Sequence, residues 1–156
     1  MYLTQVGRMR LFQCLRCDEC CYFDNEERGG PILFEDELVR IRALARARGG
    51  FDIKYRELNI NGVRVYRWLI RGGYCPFYDR EGRACTIHPM KPLACKMYPL
   101  LYNPNTGEVL ISKECKWVND ALGSGESLGL ENFPEETKAL EKALTRLYRV
   151  KVRIHR

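Results

Sequence analysis

Cys14-Leu15-Arg16-Cys17-Asp18-Glu19-Cys20-Cys21 packs four of the chain's eight cysteines into eight residues. The other four, Cys75, Cys85, Cys95 and Cys115, are spread over the second half. A fold that uses such a stretch must bring distant segments to it. Thiolates are strong, soft ligands for zinc and for iron–sulfur clusters. The C-x2-C spacing occurs twice in succession, at Cys14–Cys17 and Cys17–Cys20. Such spacing lets sulfurs from one turn reach one metal, and a distant fourth cysteine closes the shell of a [4Fe–4S] cluster. A zinc ribbon would show two separated C-x2-C pairs instead, which this chain lacks. The adjacent Cys20 and Cys21 suggest two ligand sets meeting at one loop, because neighbouring side chains usually diverge. All eight cysteines are candidate metal ligands, for zinc or a [4Fe–4S] cluster, at one or two sites.

Composition bounds the alternatives. The chain has 156 residues, an ordinary apolar fraction and a net charge of +6. That length suits one domain. The expected division is a cysteine-cluster metal-binding domain over 1–122, with a flexible link and C-terminal helix over 123–156 packed on it. No apolar run is long enough to span a bilayer. Met1 to Leu11 has no continuous apolar segment of the secretory type, so a cytoplasmic location is expected. In a reducing cytosol an even set of cysteines argues for metal rather than disulfides. Disulfides remain the alternative, since intracellular proteins of hyperthermophiles use them. The positive charge allows association with an anionic partner, nucleic acid included, and suits a solvated basic surface equally well.

Working outward from the cluster, 8–13 alternates apolar and polar residues and reads as a short strand leading in. Gly29-Gly30-Pro31 signals a turn. A helix is predicted from Glu35 to Arg48, with acidic residues first, Arg46 and Arg48 last, and an apolar face of Phe34, Leu38, Ile41 and Ala45. Gly49-Gly50 stops it. Tyr55 to Ile70 reads as a β-hairpin turning at Asn61-Gly62. A second hairpin-like unit, Tyr74 to His88, carries Cys75 and Cys85 on its arms, so its turn brings the two together. Pro92 opens a short helix bearing Cys95, which Pro99 ends. A third hairpin turns between Asn103 and Gly107. Ala121 to Gly129 is Gly/Ser-rich and reads as the link. Pro134 to about Val150 is a helix with Leu140, Leu144, Leu147 and Tyr148 on one face. The fold class is α+β: short antiparallel hairpins and two main helices, organised around a cysteine-ligated metal site. His88 is assigned a hydrogen-bonding role, and Phe77, Tyr78, Tyr98 and Trp117 are assigned to shielding the site. No phosphate-binding glycine loop, H-E-x-x-H or G-x-S-x-G motif is present.

One resemblance covers about residues 12–118 and all eight cysteines. Cys14-x2-Cys17-x2-Cys20-Cys21, Cys75-Pro76-Phe77, Cys85-Thr86-Ile87-His88-Pro89-x-Lys91-Pro92-x2-Cys95-Lys96-x-Tyr98-Pro99 and Cys115 together resemble the YkgJ-type cysteine-cluster family, whose CxxCxxCC domain is associated with zinc or iron chelation. Here His88 stands for an aromatic residue of the family pattern, and Lys91 and Lys96 for two arginines. Those changes keep charge and remove the guanidinium forks. The resemblance implies a metal or iron–sulfur protein without an assigned role. A related cluster in the flagellin lysine N-methylase family connects it to methyl transfer, although no methyl-donor site is visible here. The function read from the sequence is therefore metal binding by cysteines alone. The other readings are an iron–sulfur electron-transfer protein with a protein redox partner, a methyltransferase-associated protein, and a metal-stabilised module binding nucleic acid or another partner.

Overall fold

The computed structural model describes residues 10–16, 18–23, 30–70 and 72–154. It is a small α+β fold. The central element is a three-stranded antiparallel sheet of β2 (Ile32–Leu33), β4 (Val63–Trp68) and β3 (Tyr55–Ile60), in the order β2–β4–β3. The β3–β4 turn forms as the Asn-Gly signal requires: Asn61 and Gly62 take φ of 53° and 79°, the left-handed pair a two-residue type I′ hairpin needs. The Asn61 side-chain amide donates to the Leu147 carbonyl at 3.1 Å, and Arg149 donates to the Gly62 carbonyl at 3.0 Å. The hairpin tip is thereby fastened to the C-terminal helix.

The period-two alternation of β4 divides the interior into two cores. Tyr66 and Trp68 point to one face, where Leu33 joins them with Leu38, Ile41 and Ala45 of helix α1 (Glu35–Gly49). Helix α1 ends as expected, with Gly50 in the left-handed region at φ 61°. Val65 points to the other face and joins Leu140, Leu144 and Leu147 of the C-terminal helix, together with Leu100, Trp117, Val118 and Phe133. Gly30 sits so close to the sheet that an added Cβ would lie 2.8 Å from the Trp68 carbonyl oxygen, so the chain can enter β2 only through glycine there.

The remaining strands are short: β1 (Tyr22–Phe23) with β5 (Gly73–Tyr74), β6 (Tyr78–Asp79) with β7 (Ala84–Cys85), and β8 (Leu100–Asn103) with β9 (Glu108–Ile111). Brief helix α2 (Leu93–Lys96) lies between β7 and β8, and brief helix α3 (Lys116–Gly123) lies between β9 and α4 (Pro134–Tyr148). Among the described residues no helix is long and apolar enough to cross a membrane.

Three sequence expectations need correction. The segment expected as a strand into the cluster has no regular structure over its described part, 10–13. It runs instead beside the 3₁₀ turn Leu130–Asn132, where the Phe12 N–H donates to the Asn132 carbonyl at 2.8 Å and the Asn132 amide to the Arg10 carbonyl at 2.7 Å. Helix α3 was not foreseen, and its last residues occupy the start of the expected link. Trp117, Val118 and Ala121 are buried on its inner side, which is a helical spacing. Tyr148 lies 38% exposed rather than on the apolar face of α4, and its hydroxyl pairs with that of Tyr102.

Candidate metal centre

Backbone pairing builds the site from three distant segments. Glu19–Cys21 form a 3₁₀ turn closed by the Cys21 N–H donating to the Asp18 carbonyl at 2.8 Å. The chain then runs directly into β1, whose pairing with β5 sets Tyr22 opposite Tyr74. One step beyond, the Cys75 N–H donates to the Cys21 carbonyl at 2.6 Å. Tyr74 reinforces the junction: its hydroxyl donates to the Asp18 carboxylate at 3.1 Å, and its ring stacks on Tyr78 at 5.4 Å.

The second segment is the turn after Cys75. The Tyr78 N–H donates to the Cys75 carbonyl at 2.9 Å, and Tyr78 is the register partner of Cys85. Cys75 and Cys85 pack against the core that contains buried Phe77 and Ile87. The third segment is α2, which carries Cys95. The Glu37 carboxylate of α1, 2% exposed, takes the N–H of Leu93 on one oxygen at 2.7 Å and that of Phe34 on the other at 3.0 Å. A buried carboxylate thus ties the first turns of α1 and α2 together.

The sulfurs of Cys20 and Cys21 lie 3.9 Å apart. Two sulfurs about 2.3 Å from one tetrahedral ion are about 3.8 Å from each other. The divergence expected of neighbouring side chains is therefore absent in this tight turn. Either thiol can donate the hydrogen bond between them; with Cys20 as acceptor its pKa falls to about 7, and the nearby Lys91 charge adds to the lowering. Cys21, as donor, is pushed up, and the charges of Cys20, Cys75 and Cys95 raise it further. Burial, and then the charges of Cys85 and Cys20, push Cys75 up to about 12. Cys95 is likewise raised by burial and by Cys75, Cys20 and Cys85, against an opposing pull from Lys91. Five thiols, Cys20, Cys21, Cys75, Cys85 and Cys95, thus occupy one electrostatic neighbourhood beside an ammonium group. A cation would relieve the mutual repulsion of their thiolates.

The other cysteines stand differently. Cys14 is exposed, and its sulfur accepts from the Arg16 N–H at 3.4 Å. Cys115 is buried at the start of α3, in the core with Trp117. Its charge and that of Cys20 both reach Tyr98, whose hydroxyl burial chiefly raises to about 12. Cys17 lies outside the described residues. The seven described cysteines form no disulfide among themselves. His88 is exposed, and its ring makes no hydrogen bond among the described residues, contrary to the role expected of it. Lys91, then burial, Arg16 and Lys96 hold it below its ordinary pKa. Of the shielding residues, Phe77 is buried beside Cys75 and Cys85, and Trp117 is buried with Cys115. The contribution of Glu37 to placing Cys95 escaped the sequence reading. Glu37 three residues after Phe34 was its only signal, an N3 glutamate reaching back to the N-cap.

By donor type these residues suit zinc or iron. Among the described residues, however, no three Cys, His, Asp or Glu side chains already form a metal cage. The described geometry reaches a sulfur pair with three more thiols nearby.

Fold and site define a small α+β protein with a thiol cluster assembled from three chain segments. The chain belongs to the CxxCxxCC family, described as a "Putative zinc- or iron-chelating domain", whose model matches residues 13–121. It is also similar to an uncharacterized protein of Methanocaldococcus jannaschii, with 24% identity over 128 residues. That alignment covers 79% of this chain and 61% of the relative, so the chain spans less than two thirds of the relative's length. No solved structure matches it.

Proposed function

We propose that the protein binds zinc or iron through cysteine thiolates alone, at a centre to which Cys20, Cys21, Cys75, Cys85 and Cys95 contribute. The observation that carries this reading is the 3.9 Å separation of the Cys20 and Cys21 sulfurs, on a turn whose carbonyl is bonded to the backbone of Cys75. Cys14, Cys17 and Cys115 complete the set of eight. Cys14 and Cys17 belong to the same dense motif, and Cys115 shares the surroundings of Tyr98 with Cys20. A metal bound here would neutralise the clustered thiolates. The chain's own contribution is to hold the sulfurs in register through the β1–β5 pair, the Cys75 turn and the Glu37 anchor of α2. The working unit is the domain over 1–122 with the 123–156 segment packed on it. A reducing compartment such as the cytoplasm supplies the thiols this binding needs.

Purification without oxygen, followed by an absorption spectrum and assay of zinc, iron and acid-labile sulfide per chain, tests the proposal. Stoichiometric zinc in a colourless protein, or iron with sulfide in a brown one, supports it and names the metal. A folded chain with reactive thiols and no bound metal would refute it.

A further inference from the structure

The face of the central sheet opposite α1 carries a cavity that none of the cysteines lines. It lies among β2, β4, α2 and α4 and has a volume of about 200 Å³. Its walls are mainly apolar, with Phe34, Leu93, Met97, Leu140 and Leu144 among them, and Arg67 supplies a charge. Protein interiors leave few voids of this size. A dry apolar cavity of about 150 Å³ is enough to hold benzene, so this one has room for a slightly larger apolar body.

The arginine is the unusual element. Arg67 is partly buried, and among the described residues no acidic group pairs with it. Its register partner across the ladder is Arg56. Directly opposed like charges destabilise a sheet, and Arg56 also has no acidic partner among the described residues. Two guanidinium groups therefore share one face, one of them lining an apolar cavity, with no acidic group among the described residues to neutralise them. Burial and the Arg56 charge both weaken the hold of Arg67 on its proton, in keeping with a missing counter-ion.

We propose that this cavity binds a small carboxylate with an apolar body, its head group paired with Arg67 and its tail against α2 and α4. Arginine's planar fork matches a carboxylate in two parallel hydrogen bonds. The apolar walls reject small hydrated anions, because they offer nothing in place of the lost water. Cys95 lies on the same short helix as the wall residues Leu93 and Met97, so the ligand would rest on an element that also serves the thiol cluster. The proposal itself does not depend on metal binding.

The test is a titration of the full chain, as purified, with hexanoate, with hexanol as uncharged control and inorganic phosphate as headgroup control. Binding is followed by calorimetry and by methionine methyl NMR. Saturable hexanoate binding is expected, with the Met97 methyl shifting and that of Met90, outside the cavity, unmoved. Arg67→Gln should weaken hexanoate at least tenfold and leave hexanol unchanged. Ala143→Leu, which fills the cavity from α4, should weaken both. Absence of saturable hexanoate binding, phosphate binding as tightly as hexanoate, equal shifts at Met90 and Met97, or an unchanged affinity in Arg67→Gln would each overturn the proposal.

Discussion

The Glu37 carboxylate accepts the Leu93 backbone N–H at 2.7 Å across 56 residues of sequence. Its second oxygen caps α1 at Phe34, and Arg40 approaches the Leu93-bound oxygen at 3.8 Å while also donating to the Met90 carbonyl. One buried acid thereby sets the position of α2 and of Cys95 on it. Glu37→Gln keeps the shape but replaces one acceptor oxygen with an NH₂ group. One backbone N–H then faces another donor. The expected cost is about 1–3 kcal/mol, read by urea unfolding, together with weaker metal retention in a chelator competition. An unchanged midpoint and unchanged retention would show that the anchor is dispensable.

The sulfur separation at Cys20 and Cys21 leads to a prediction about additivity. If both serve one ion, Cys20→Ser and Cys21→Ser remove the same metal, and the double variant loses no more than either single one. Two separate sites would give losses that sum. Metal per chain for the three variants distinguishes the outcomes.

Acid stability should depend on the clamp between α1 and α4. Arg146 donates to Asp36 at 3.3 Å and lies over the Phe34 ring at 4.1 Å. The hydrogen bond from Arg146 holds the Asp36 carboxyl below its ordinary range. A depressed carboxyl pKa contributes stability that is fully present above the unfolded value, about 3.9. That contribution is lost as pH falls through the lower folded value. Asp36→Asn should therefore lower the melting temperature modestly near neutrality and leave it nearly unchanged in strong acid, which flattens the acid limb of the profile. An acid limb identical to that of the parent would contradict this.

Phe133 is fully buried and meets Phe12 at 5.4 Å and Trp117 at 5.7 Å between ring centroids. Phe133→Ala should cost about 3–5 kcal/mol through the lost burial and the cavity left behind. The indole of Trp117 should become more exposed, which fluorescence quenching reports. A loss below 1 kcal/mol would mean that the aromatic cluster does not support this core.

How much of this was legible in the sequence depends on the range of each interaction. The Asn61-Gly62 hairpin, α1 and most of α4 were readable because turn chemistry, caps and apolar periodicity are local. The grouping of Cys75 with Cys85 was readable for the same reason, since one short turn connects them. The β1–β5 pair was not readable: two residues from each strand carry no periodic signal, and the pairing spans about fifty residues. The path of 10–13 was misread because its alternation serves packing of Phe12 on Trp117 and Phe133 rather than a ladder. Cys20 and Cys21 were expected to diverge, as in an extended chain, and a 3₁₀ turn brings their sulfurs together instead.

The central claim is that thiolates alone surround the metal. X-ray absorption at the edge of the metal found in the purified protein tests it most directly. The account predicts a first shell of about four sulfurs, at about 2.3 Å if the metal is zinc, with no nitrogen or oxygen contribution, and a weaker sulfur signal in Cys75→Ser. A shell of nitrogen and oxygen at about 2.0–2.2 Å, or one unchanged in Cys75→Ser, would contradict it.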